Sequence, residues 1–144
     1  MKKLLRAVLM LLPLGLFAEA LTLGMPIHSF AFKDQFEKTL SPTSQTKQVI
    51  IAFNKAQGEI VKTFLEAHPH YLHENNALYL MDASEVPGMV LSMFMLPKFK
   101  KYPYSIGLIQ EEKDVALFPK KEDHITILTL ENNTVTGLEF KQAL

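Results

Sequence analysis

Gln48-Val49-Ile50-Ile51-Ala52-Phe53 is apolar without alternation and rich in β-branched side chains. A run this short reads as a strand, and with both faces apolar it must be covered on both sides. That demand selects a layered α/β fold with this strand inside the sheet. Asn54-Lys55-Ala56-Gln57-Gly58 then reads as a loop. Glu59 to His68 reads as a helix, with Ile60, Val61, Phe64 and Leu65 on one face at spacings of three and four. Pro69 disturbs it, Tyr71 and Leu72 allow one more turn, and Ala77 to Met81 reads as a second strand.

Downstream, Asp82-Ala83-Ser84 offers a cap for a helix starting near Val86-Pro87. Val90, Leu91, Phe94 and Met95 are its expected buried face, Pro97 its expected end, and Lys98 to Lys101 a solvated basic connection. Tyr102-Pro103-Tyr104 leads into a third strand, Ser105 to Gln110. His124 to Leu130 and Val135 to Phe140 read as a closing hairpin around Asn132-Asn133. Upstream, Phe30, Phe32 and Phe36 fall at even positions of a period-2 stretch that reads as a short hairpin, with Asp34 and Glu37 solvating it and Ser41-Pro42 breaking it.

The extreme N-terminus has a different logic. Lys2, Lys3 and Arg6 precede an apolar run from Ala7 to Phe17, and Ala18-Glu19-Ala20 has the small-x-small pattern of a signal-peptidase site. The expectation is a cleavable signal peptide over 1–20, cut after Ala20, and a single domain over 21–144 in the periplasm of a Gram-negative bacterium. The apolar run is about half of the roughly 20 residues a membrane span needs, so no stable membrane span is expected after cleavage. Residues 1–20 hold three of the 15 basic residues and one of the 15 acidic ones, so the remainder is slightly acidic. A nucleic-acid partner, which demands a basic surface, is not expected.

None of the 144 residues is cysteine. Thiol redox chemistry, thiolate zinc sites and thiolate-held iron–sulfur clusters are therefore closed to this chain, and its core must hold without disulfides. There is no G-x-G-x-x-G stretch, no P-loop and no G-x-S-x-G elbow, so no nucleotide cofactor and no serine nucleophile is expected. Among metal-capable residues, His68, His70 and His73 form the densest group, suited to zinc or copper, with a polar helix end as the plain alternative. Met81, Met89, Met93 and Met95 admit a copper(I) reading, against the plainer one of flexible core filling.

Taken in order, strand, loop, helix, strand, helix, proline, strand, strand, the chain resembles the thioredoxin-like superfamily in its peroxiredoxin-like branch. Gly24-Met25-Pro26-Ile27 followed by Phe30-Ala31-Phe32-Lys33-Asp34 is similar to the leading hairpin of that branch, and Val49 to Phe53 with its helix is similar to the central strand and active-site helix. The resemblance implies an α/β, thioredoxin-like fold: a central mixed β-sheet of about five strands with flanking helices. It implies a cis-proline at Pro103 and a substrate groove between Asn54, Lys55, Ala56, Gln57 and Tyr102, Pro103, Tyr104. Where the family keeps its cysteines this chain has Asn54 to Gln57, so the expectation is a degenerate, non-enzymatic member that binds a protein or peptide partner. The alternative expectation is a copper- or zinc-handling protein using the histidines or methionines. The family's last helix is also missing, which leaves one sheet face to be covered by the leading segment, by a second molecule as in a homodimer, or by polar residues.

Overall fold

The computed structural model describes residues 20–27 and 29–144. The expected signal peptide therefore lies outside the described residues, apart from Ala20 at its proposed cleavage point. No helix among the described residues is long and apolar enough to cross a membrane.

A small antiparallel pair, β1 (Phe32–Lys33) and β2 (Thr39–Leu40), precedes the main sheet. The sheet comprises β3 (Gln48–Ala52), β4 (Ala77–Asp82), β5 (Gly107–Ile109), β6 (Ile125–Glu131) and β7 (Thr134–Lys141), in the order β5-β4-β3-β6-β7. β3, β4 and β5 run parallel, while β6 and β7 form an antiparallel hairpin on the other side of β3. The apolar run thus sits mid-sheet as its composition requires. Val49 and Ile51 enter one core, Ile50 and Ala52 the other.

The steps from β3 to β4 and from β4 to β5 go the same way across the sheet. Right-handed crossovers therefore place both connecting helices on one face. These are α1 (Lys55–Ala67) and α3, a continuous helix over 88–99, with the single turn α2 (Tyr71–Glu74) after α1. A short helix, α4 (Glu112–Val115), leads from β5 toward β6. The opposite face is covered by the leading segment: Leu21, Ile27, Phe30 and Phe32 pack on it with Phe118. Phe30 stacks on Phe32 at 5.0 Å and meets Phe118 edge-on at 5.5 Å. Backbone bonds from Leu21 to Leu117, Gly24 to Val135 and Ile27 to Asn133 fasten this segment. Of the three covers the sequence leaves open, the chain uses its own N-terminal arm.

Several local expectations change. Asn54 to Gly58 is not a loop: Asn54 caps α1, which begins at Lys55. Asp82 closes a turn onto the Ser84 backbone and hydroxyl, and caps no helix; α3 starts at Gly88 behind Pro87. Pro97 lies within α3 instead of ending it. Leu91–Met95 is a π-turn, with the Leu96 N–H bonded to the Leu91 carbonyl. The widened turn precedes a proline that has no N–H of its own and would crowd the carbonyl four residues back in a regular helix. The extra residue rotates the apolar stripe, so Leu91 and Phe99 are buried and Met95 and Leu96 pack beside them, while Val90 and Phe94 are exposed. Asp34 does not solvate the hairpin; it is buried, and its Oδ1 accepts from the backbone N–H of Phe36 and of Lys38. There is no cis peptide bond among the described residues, so Pro103 is trans.

Candidate functional site

The groove expected from the resemblance begins at the junction of β3 and α1. That junction is closed by a reciprocal cap. The Gln57 N–H donates to Asn54 Oδ1 at 2.9 Å, and the Phe53 N–H donates to Gln57 Oε1 at 2.7 Å. Gln57 is only 4% exposed. Two backbone N–H groups at a helix start are thereby satisfied by side chains, close to the pattern of a capping box.

From this junction a groove of about 460 Å³ runs between α1 and α3 over β4. Asn54, Lys55, Gly58, Glu59 and Lys62 line it from α1 and its cap, Phe94, Met95, Lys98 and Phe99 from α3, and Tyr79 and Met81 from β4, with Tyr102 and Tyr104. The floor is aromatic: Tyr102 stacks on Tyr104 at 5.4 Å, and Tyr104 meets Tyr79 at 6.2 Å. Lys62 lies 5.7 Å from the Tyr102 ring centre, and a Lys98–Glu59 ion pair at 3.7 Å joins the two helices. Both charge signs are therefore present along the groove.

Tyr104 is held from outside the groove. Buried Gln35 donates through Nε2 to the Tyr104 carbonyl at 2.7 Å and to the Phe99 carbonyl at 3.2 Å, and its Oε1 accepts the Ile106 N–H at 2.8 Å. One side chain thus ties the β1–β2 turn to the end of α3 and the start of β5. The hydroxyls of Tyr79 and Tyr104 are buried and have no hydrogen-bond partner. Burial, reinforced by the neighbouring phenols, pushes Tyr104 up to about 12 and Tyr79 higher still, so both are neutral at physiological pH.

Of the seven residues expected in the groove, Asn54, Lys55, Tyr102 and Tyr104 share it. Ala56 and Gln57 do not line it, and Pro103 lines a second cavity, of about 460 Å³, at the amino ends of β3 to β5 with Thr46, Asn76 and Ser105, which Tyr79 and Tyr104 border from the other side. His68, His70 and His73 are exposed, and no three metal-capable carboxylate or imidazole residues converge among the described residues. Of the methionines, Met81 and Met95 line the groove, whereas Met89 and Met93 are exposed and fill no core. Tyr79 and Gln35 escape the sequence reading. Tyr79 carries a signal, since a tyrosine inside an apolar strand needs a partner for its hydroxyl; Gln35 falls on the polar phase of the alternation and carries none.

No protein-family model matches the chain, and no curated protein matches it. Solved structures do. The thioredoxin domain of a thiol-disulfide oxidoreductase from Bacteroides vulgatus superposes with a TM-score of 0.56 at 11% identity, covering 85% of this chain and 91% of that one. The peroxidoxin BcpB from Mycobacterium tuberculosis gives 0.56 at 12% identity, with 85% and 87% covered. A SCO1/SenC family lipoprotein from Bacillus anthracis gives 0.51 at 12% identity, with 84% and 89% covered. Identities this low speak for the fold alone. With its mixed five-stranded sheet and its capped β3–α1 junction, the chain has a thioredoxin-like fold and no cysteine.

Proposed function

We propose that this chain is an exported binding module without redox chemistry, which takes an extended segment of a partner protein into the groove between α1 and α3. The observation that carries the reading is the groove itself: an aromatic floor at the site where related folds do chemistry, in a chain with no thiol to do it. Its α3 edge continues into an exposed apolar strip, with Met89, Met93 and Phe94 at 71%, 61% and 68% exposure. Methionine and aromatic side chains are enriched in protein interfaces, and methionine adapts to irregular partners. Mixed charge along the groove suits a polypeptide better than a polyanion. The Lys2 to Ala20 signal pattern supports export, and hence a partner in the cell envelope. Among the described residues His68, His70 and His73 are exposed and join no cluster of three metal-capable groups, so the groove is the better-supported site.

The test fills the groove. Gly58 faces Met81, and a leucine there occupies groove volume. Partner capture from envelope fractions should be lost in Gly58→Leu and weakened at least several-fold in Phe94→Glu, whose site is too exposed to disturb the core. Equal capture by wild type and both variants removes the reading.

A further inference from the structure

Resting on that groove as a binding site, we infer that Tyr79 and Tyr104 form its hydrogen-bonding end, donating their two hydroxyls to a backbone carbonyl of an extended peptide whose adjoining large apolar side chain lies along Met81, Met95 and Phe99. Three independent features converge on this. First, the two phenols are 1% and 8% exposed, and neither hydroxyl has a partner. Buried hydroxyls are nearly always bonded, and each one left unsatisfied is destabilising. Two of them on rings 6.2 Å apart in one groove mark a place completed by something that binds.

Second, at Gly58 the Tyr79 hydroxyl is covered by the flexible Met81 thioether and by no side chain of α1. A Cβ at that position would stand 3.1 Å from Met81 Cε and 3.9 Å from Tyr79 Oη. Gly58 sits inside α1, where glycine costs about 1 kcal/mol relative to alanine. Its φ is not in the left-handed region, so what the missing side chain provides is room for the Met81 thioether, an adaptable group that a ligand displaces to reach the phenol.

Third, the chemistry selects an acceptor. Burial keeps both phenols protonated, so they offer O–H donors to whatever enters. Lys55, Lys62 and Lys98 line the groove together with Glu59, Asp82 and Glu85, a balance of charge that favours a neutral carbonyl over a carboxylate. The aromatic and thioether lining next to the hydroxyls fits an apolar side chain, giving the paired requirement of carbonyl plus large apolar group.

The probe is N-acetyl-phenylalanine amide, titrated against the protein labelled at its methionine methyl groups. It should shift the Met81 and Met95 signals. Its affinity should fall about tenfold or more in Tyr79→Phe/Tyr104→Phe, the loss expected for two modest hydrogen bonds. The free double variant should melt at the same temperature as wild type or several degrees higher, because it removes unsatisfied hydroxyls and keeps the rings. The inference is overturned if the probe shifts neither methionine, if the double variant binds it equally, or if the variant melts lower, which would mean the hydroxyls already serve the fold. Partner capture that still responds to Gly58→Leu in that case leaves the groove reading standing and removes only the carbonyl contact.

Discussion

At the residue scale, the decisive feature is the β3–α1 junction, where the Asn54 and Gln57 side chains close the start of α1 by hydrogen bonds. Gln57 is buried and accepts the Phe53 N–H. Gln57→Ala leaves that group without its partner and should cost about 1–3 kcal/mol of stability, read by urea unfolding. Asn54 heads a 13-residue helix, whose N-terminus favours negative charge. In Asn54→Cys the new thiol should titrate below the ordinary cysteine value of about 8.5, read by thiolate absorbance at about 240 nm; an unshifted thiol would show that the helix start exerts no such field. The cap is legible in the sequence as Asn-x-x-Gln before an apolar helix. Reading Gly58 as a breaker hides it and delays the helix start by four residues.

Among the elements, α3 and β5 explain why the groove was only half legible. The succession of strands and helices and the closing hairpin follow from periodicity and from Asn132-Asn133, both at positive φ as a tight hairpin turn needs. The buried face of α3 does not follow, because a regular 3.6-residue period cannot anticipate a π-turn before Pro97. The turn exposes Phe94 and brings Phe99 beneath Tyr102, at 5.9 Å. Pro103 shows the opposite limit: a proline before a strand is visible, but which end of the sheet it occupies depends on β5 being a parallel edge strand. β5 itself is seated by close packing. A Cβ on Gly107 would lie 2.7 Å from Leu80 Cδ2 and 3.3 Å from Leu40 Cδ2, and Leu80 is fully buried. Gly107→Ala should therefore destabilise by about 1–3 kcal/mol through overpacking, measured by thermal unfolding; a neutral result would mean that Leu80 is free to move.

Over the whole molecule, the fold is a two-faced sheet whose second face is covered by its own leading segment, while the first face carries the groove. Gln35 connects the two, reaching from the leading hairpin to the backbone of Phe99, Tyr104 and Ile106. No local pattern could reveal that link, since its two ends are about seventy residues apart. The buried phenols also make global stability pH-dependent in a definite direction. Their folded pKa values are raised above the ordinary value of about 10. Below pH 10 both states hold these protons, so the contribution is fully present. Between 10 and about 12 the unfolded chain releases protons that the folded chain keeps, and stability falls as pH rises. Tyr79→Phe/Tyr104→Phe should flatten that alkaline decline in denaturant unfolding, and an unchanged slope would place it on other groups.

The most direct test of binding through the groove is site-specific photocrosslinking in living cells. A benzoylphenylalanine replacing Phe94 borders the groove, whereas the same probe replacing Glu139 sits exposed on β7, outside it. A discrete protein adduct from position 94, absent from position 139 and abolished by Gly58→Leu, is the predicted result. Adducts that are equal at both positions, or that survive Gly58→Leu, would contradict it.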